Sequence, residues 1–359
     1  MSIGSEDAAP TLTLATLNLY HWAEPGIGWY GPGSGHDAAS WDAKRAWLSS
    51  MLAQISPDLI GFQEVVSVES LRADCAAAGL RCFATVAEPH LREAEDGSAY
   101  YNRPVQAVAS RWPMRAAAVE PDPAVSHSLG VSDDRTFRRP AIRAEIEHPT
   151  LGPVVAYVCH LKSPGVGVED ALIAGKSEPP QEAEALARWR LEALSRAHAA
   201  AAIQRQFEAS QLYHAATADI AEDAARPVAI LGDLNDDPAS PALRALTPFA
   251  AFERDGGAHG EAGDPPHAAL EAKALDLFRF VDAYRLSPRS WAEDDRPATH
   301  RSGASGDAID FILVSAALRP GGRVASVRHR VHDRHFRGGR PSIGSDHAGV
   351  YALFTLSGA

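Results

Sequence analysis

The chain has 359 residues, 45% hydrophobic and 22% charged, the balance of a globular protein with a sizeable core. Its 34 Lys and Arg against 46 Asp and Glu leave a formal net charge of -12, which works against broad, sequence-independent attraction to polyanions. No apolar run approaches the ~20 residues of a membrane-spanning helix, and three cysteines (Cys75, Cys82, Cys159) give neither a disulfide framework nor a CxxC metal site.

Met1 to Pro10 is polar and acidic and lacks the basic start and apolar core of a secretion signal. A flexible N-terminus over 1–10 and a cytoplasmic location are therefore expected. Residues 11–359 show no repeat and no linker, and read as one domain. Thr11 to Leu19 alternates as a strand. Asp42 to Ile55 is a helix with Trp47, Leu48, Met51, Leu52 and Ile55 on one stripe. Asp58 to Phe62 is a strand, Val68 to Ala78 a shorter helix, and Val105 to Ser110, Ala141 to Glu147 and Val154 to Leu161 are strands. Cys159, inside the last of these, reads as a small buried hydrophobe.

The longest predicted helix runs from about Pro180 to Phe207 or beyond, rich in Ala, Glu, Leu and Arg and without an internal proline. Leu186, Trp189, Leu194, Ala197 and Ile203 supply its expected buried face, and Arg188, Arg190 and Arg196 its solvent face. Gln211 to Ala225 continues it after an expected break. Strands follow at Val228 to Leu231, Ile309 to Val314 and Val350 to Leu356. Long Gly- and Pro-rich loops at Pro25 to Gly35, Pro164 to Pro180 and Gly256 to Pro266 could frame a binding site. Strands alternating with a few helices suggest two sheets packed face to face with helices outside.

The chemistry collects at strand ends. Pro227-Val-Ala-Ile-Leu-Gly-Asp-Leu-Asn235 is an apolar strand that terminates in Asp233 and Asn235, which share a face in extended geometry. A carboxylate there can bind a hard cation or take a proton from water, and the amide can hold that water or a phosphate oxygen. A plain turn explains the same residues, since Asp236-Asp237-Pro238 follows. Leu12 to Leu17 leads to Asn18, Pro57 to Phe62 leads to Gln63 and Glu64, and Val154 to Cys159 leads to His160, Leu161 and Lys162. Asp310 sits in the apolar run Ala308 to Val314, where a carboxylate is expensive to bury without a partner. Ser345-Asp346-His347 immediately precedes the last strand. Each has an ordinary explanation when taken singly; their joint occurrence is harder to dismiss.

In this order the segments resemble the endonuclease/exonuclease/phosphatase (DNase I-like) superfamily, over roughly residues 11 to 356. The resemblance rests on Asn18, Gln63-Glu64, His160-Leu161, Gly232-Asp233-Leu234-Asn235, Ile309-Asp310-Phe311-Ile312 and Ser345-Asp346-His347. Val105 to Met114 and Thr299 also fall where members carry a strand and a threonine. It implies a four-layer α/β sandwich of two mainly antiparallel sheets flanked by helices, and Mg²⁺ (Mn²⁺ possible) as cofactor. Glu64 would be the principal metal ligand, with Asn18 beside it and Asp346 in support. Asp233 and Asn235 would position and deprotonate the attacking water. His160 and His347 would bond the phosphate oxygens, and Asp310 would orient His347. The histidines lack the compact spacing of a zinc site.

The implied activity is phosphodiester or phosphomonoester hydrolysis by in-line water attack, in a nuclease or a small-phosphoester phosphodiesterase or phosphatase. A sphingomyelinase-like lipid phosphodiesterase and a catalytically silent binding module are the alternatives. A phosphoester, including nucleic acid, is the expected partner, and no obligate protein partner is evident. Two departures weaken a DNA-repair role: Tyr20 stands where apurinic endonucleases carry an acid, and Ala308 where many members have Arg or Lys. Arg135, Arg138, Arg139 and Arg143 form one basic concentration, and Arg334, Arg337 and Arg340 another, each a candidate for touching an anion. Trp22, Trp29, Tyr30, Tyr100, Tyr101, Asn102 and Arg103 are candidates for substrate contact, with local packing the plain alternative.

Overall fold

The long strands are apolar on both faces, so each needs cover on two sides. Thr11–Trp22 shows the pattern: Leu12 and Leu14 enter one core, while Ala15, Leu17, Leu19 and Trp22 enter another. A computed structural model describes residues 9–31, 33–165, 180–248, 272–288, 296–302, 305–336 and 344–357. In it two six-stranded sheets lie face to face. The first runs Val324–His332, Gly349–Leu356, Thr11–Trp22, Leu59–Val65, Val105–Ser110, Cys82–Ala84. The second runs Val281–Asp282, Asp310–Val314, Val228–Asp233, Gly152–His160, Ile142–His148, Met114–Ala118. A smaller three-stranded sheet joins Ile27–Trp29, Ala99–Arg103 and His90–Glu93.

Both large sheets are antiparallel except at the centre, where Thr11–Trp22 runs parallel to Leu59–Val65, and Gly152–His160 parallel to Val228–Asp233. A parallel pair brings two strand C-termini to the same edge. Register places Asn18 beside Gln63 in one sheet and His160 beside Asp233 in the other.

The inter-sheet core contains Leu12, Leu14, Leu59 and Val108 from the first sheet against Ile142, Val158, Leu231 and Ile312 from the second. Gly61 is needed there: a Cβ at that position would come within 2.6 Å of Val158 and 2.8 Å of Leu231. Outside the first sheet lie the helices Ala38–Ile55 and Val68–Ala77, and outside the second lies Ala183–Glu222, completing helix–sheet–sheet–helix. The expected four-layer α/β sandwich is present.

Three expectations need correction. Ala183–Glu222 is one continuous helix of 40 residues, without the expected break, because neither Pro nor Gly interrupts it. Its buried face lies further along than expected, at Phe207, Ala209, Leu212, Ala216 and Ile220, while Ile203 is exposed. Along the N-terminal half, Leu186, Trp189, Leu194 and Ala197 are only partly buried. The first helix starts earlier than expected, at Ala38, where Asp37 caps it by accepting a hydrogen bond from the Ser40 N–H. Of the loops expected to frame a site, Gly256 to Pro266 and nearly all of Pro164 to Pro180 lie outside the described residues, as do most of 1–10, Arg337 and Arg340. No helix among the described residues is long and apolar enough to cross a membrane.

Candidate active site

Both central strands of the first sheet break regularity where their polar residues begin. The register shifts between Asn18 and Trp22 and again between Phe62 and Val65, and bulges of this kind re-aim side chains. Tyr20, His21 and Glu64 all adopt positive φ (46°, 62° and 61°), a costly conformation for residues of their size. The strain turns Glu64 away from the strand's alternation, while Gln63 stays buried against Thr16.

Asn18 connects the sheets. Its amide donates to Glu64 Oε1 at 3.3 Å and to Asp233 Oδ2 at 3.0 Å, and its Oδ1 accepts from the Tyr20 N–H. Ser345 Oγ donates to the Asn18 carbonyl at 2.6 Å and accepts from the His347 N–H, which ties the last motif to the first. Asp233 Oδ2 lies 3.4 Å from His160 Nε2 and 3.8 Å from His347 Nε2. Asp310, opposite Asp233 across the antiparallel register, takes His347 Nδ1 at 2.9 Å. Thr299 accepts from the Ile309 and Asp310 N–H groups and fixes the start of that strand. Asn235, at φ 52°, donates from its side chain to the Leu161 carbonyl, and its N–H donates to Asp233 Oδ1.

Electrostatics separate the two histidines. Burial works against charge on His347, yet Asp310, Asp233 and Asp346 together push it up to about 10, so it is held as imidazolium. Burial, reinforced by Arg139 and His347, holds His160 well below its ordinary value, so it is neutral. Burial likewise raises the Asp233 carboxyl to about 7, with Asp310 pushing the same way and His347 opposing. Asp346 is held below the usual carboxylate range by His300 and His347 despite its burial.

The structure thus gathers Asn18, Glu64, His160, Asp233, Asn235, Asp310, Asp346 and His347 at one end of the two sheets. Sequence reasoning missed several of their neighbours. Lys44 is fully buried and donates to the Tyr20 carbonyl at 2.8 Å and the Gly344 carbonyl at 2.5 Å. A signal existed, because Lys44 occupies a stripe position between Trp41 and Leu48 on an otherwise apolar helix face. His21, bonded to Tyr101 Oη and stacked on Trp29 at 4.6 Å, backs Glu64, its Nδ1 3.6 Å from Oε2. His300 pairs with Asp346 and packs on His347 at 4.7 Å; nothing in its spacing announced it. Of the aromatic candidates, Trp22 and Tyr101 are fully buried and serve packing, while Tyr30 is exposed.

Among the described residues, two clusters could hold a metal ion: His300, Asp346 and His347, and Asp233, Asp310 and His347. In the second the imidazole Nδ1 is already bonded to Asp310. Glu64, which belongs to neither cluster, and Asp346 offer the carboxylate oxygens that a hard cation prefers. Asp346 Oδ1 is buried without a hydrogen-bond partner among the described residues.

A profile of the Endonuclease/Exonuclease/phosphatase family matches residues 29–347. The chain belongs to that family. No curated protein matches the sequence. Among solved structures, the human Nocturnin catalytic domain with bound sulfate aligns at TM-score 0.54 and 15% identity, covering 97% of this chain and 94% of that one. An AP endonuclease from Archaeoglobus fulgidus aligns at TM-score 0.49 and 16% identity, covering 96% and 99%. Truncated Caenorhabditis elegans TDP2 aligns at TM-score 0.49 and 13% identity, covering 96% and 97%. At 15% identity the likeness to the Nocturnin domain is one of fold alone. The family match and the Nocturnin domain agree with the sandwich seen here.

Proposed function

We propose that this family member is a divalent-cation-dependent phosphoesterase that cleaves a phosphodiester, in nucleic acid or in a small ester, by in-line water attack. One observation carries the reading: a single buried carboxylate, Asp233, faces two imidazoles that reach it from different sheets, and Asn18 links it to Glu64.

Glu64 and Asp346 would hold Mg²⁺ or Mn²⁺, whose charge would offset that building on the phosphoryl oxygens. The protein's own groups do the rest. Asp233, raised to about 7, accepts the proton of the attacking water near neutral pH. One N–H of the Asn235 amide bonds the Leu161 carbonyl and fixes the side chain, so that its Oδ1 can accept a hydrogen bond from that water. The water oxygen bonds to phosphorus as the bond to the leaving oxygen breaks on the opposite side, and the leaving oxygen takes a proton from solvent. His347, kept cationic, donates a charged hydrogen bond to a phosphoryl oxygen, and neutral His160 donates a second. Asp310 is a positioning residue, fixing the His347 ring through Nδ1.

The test is hydrolysis of bis-p-nitrophenyl phosphate with Mg²⁺ or Mn²⁺. Asp233→Asn and His347→Ala should each lower the rate by ~100-fold or more with unchanged circular dichroism. Full activity in either variant, or no activity in the parent with either ion, contradicts the reading.

A further inference from the structure

The basic concentration at Arg135–Arg143 does not act as a unit. Arg143 is consumed by Asp219 and Glu145, and Arg135 by Gln204. Arg139 hydrogen-bonds the Tyr30 hydroxyl and lies within electrostatic reach of the Glu208 carboxylate, while its Nη1, like Arg135 Nε, is buried without a hydrogen-bond partner among the described residues. A charged donor left in this state is costly unless something binds to it.

The long helix holds this region in place from below. Buried Glu208 accepts from the Arg138 N–H at 2.7 Å and the Lys162 N–H at 2.8 Å, gripping the backbone beside Arg139 and at Lys162 together. One turn earlier, Arg205 donates to the Lys162 carbonyl at 2.9 Å while paired with Asp236. Both sides of Lys162 are therefore clamped by buried charged side chains. Its ammonium bonds the Ser163 and Gly165 carbonyls, leaving a third N–H. Lys162 stands two residues after His160, and the Arg139 charge is felt at both. A surface salt bridge would need no such support. Two buried charges hold the backbone next to Arg139 and at Lys162, which fixes where the two cationic side chains start and makes a prepared anion site.

We infer that Arg139 and Lys162 form a subsite for a second anionic group, a phosphate next to the one being cleaved, with Glu208 as its positioning residue. This rests on the phosphoesterase reading and narrows it to substrates with at least two phosphates. The second phosphate is either the next diester of a strand or a terminal phosphate.

The experiment compares kcat/KM for the dinucleotide TpT with pTpT and TpTp, which add a terminal phosphate, and with TpTpT, which adds a diester. The wild type should favour the flanked esters at least tenfold, and preference for TpTpT over the terminal phosphates would identify a strand as the source. In Arg139→Gln and Glu208→Gln, each checked for an unchanged melting midpoint, the flanked-to-unflanked ratio should fall at least fivefold. Arg139→Lys, which keeps the charge and risks the fold least, should retain part of it. A wild-type ratio near one, or a ratio unmoved in the variants because both rates fall together, overturns the subsite. Hydrolysis of bis-p-nitrophenyl phosphate, run in parallel, separates this failure from failure of the phosphoesterase reading, in which that ester also survives.

Discussion

The two sheets share one plan, a central parallel pair with antiparallel neighbours, and both deliver polar residues at the same end. What they deliver differs. The first sheet ends in oxygen donors, with Asn18, Glu64 and Asp346 grouped near buried Lys44. The second ends in His160, Asp233 and Asp310, a set suited to moving protons and meeting negative charge. The first-sheet end carries the bulges and the positive φ of Tyr20, His21 and Glu64, whereas the second-sheet strands reach their last residue in register and place positive φ at Gly232 and Asn235, residue types that tolerate it. On the reading proposed here, strain is spent where a cation must be coordinated, and regular pairing suffices where hydrogen-bonded side chains fix one another. His347 crosses the divide: its backbone precedes a first-sheet strand, yet its ring is bound by Asp310 of the second.

The largest effect should come from breaking that crossing. Asp310→Asn leaves the shape but removes the charge that holds His347 as imidazolium and in one ring orientation. It should lower kcat by ~100-fold or more while changing KM little, in steady-state assays with bis-p-nitrophenyl phosphate. A loss confined to KM would mean that Asp310 acts only in binding.

The seam between the sheets can also be probed at His329, which has no assigned part in the site. His329, on the first sheet's edge strand, packs edge-on against Tyr284 at 5.4 Å, and its Nε2 is buried without a partner among the described residues. Burial lowers it to about 4, with Asp282 opposing and Arg296 and Arg330 reinforcing. Its folded pKa is depressed, so below ~6.5 the unfolded chain binds a proton that the folded chain refuses. Stability is therefore lost as pH falls from ~6.5 towards 4. Between pH 7.5 and 4.5 this one group should cost roughly 2–3 kcal/mol. Urea unfolding of His329→Leu should show an acid loss smaller by about that amount; parallel pH profiles would show that His329 is not the sensor.

Much of the layout is legible in the sequence because apolar runs and their polar ends are local features. The strands, the sandwich and the residues that converge can be read from it. The burial of the C-terminal half of Ala183–Glu222 depends on where the second sheet lies beneath it, whereas its continuity follows from a run without Pro or Gly that the sequence already contains. His300 is invisible beforehand, since only the pairing of its backbone with His347 brings it to Asp346. The basic concentration looks uniform in sequence, but Asp219 and Glu145 neutralise Arg143, the Gln204 amide bonds Arg135, and Arg139 keeps a buried Nη1 without a hydrogen-bond partner among the described residues.

The proposed division of labour between the sheet ends is tested most directly by Mn²⁺ binding, measured by calorimetry on the wild type, Glu64→Gln and Asp310→Asn. A cation held on the first-sheet side predicts binding weakened at least ~10-fold in Glu64→Gln and changed less than ~3-fold in Asp310→Asn. Binding abolished by Asp310→Asn and untouched by Glu64→Gln would move the ion to the Asp233–Asp310–His347 cluster and contradict the division.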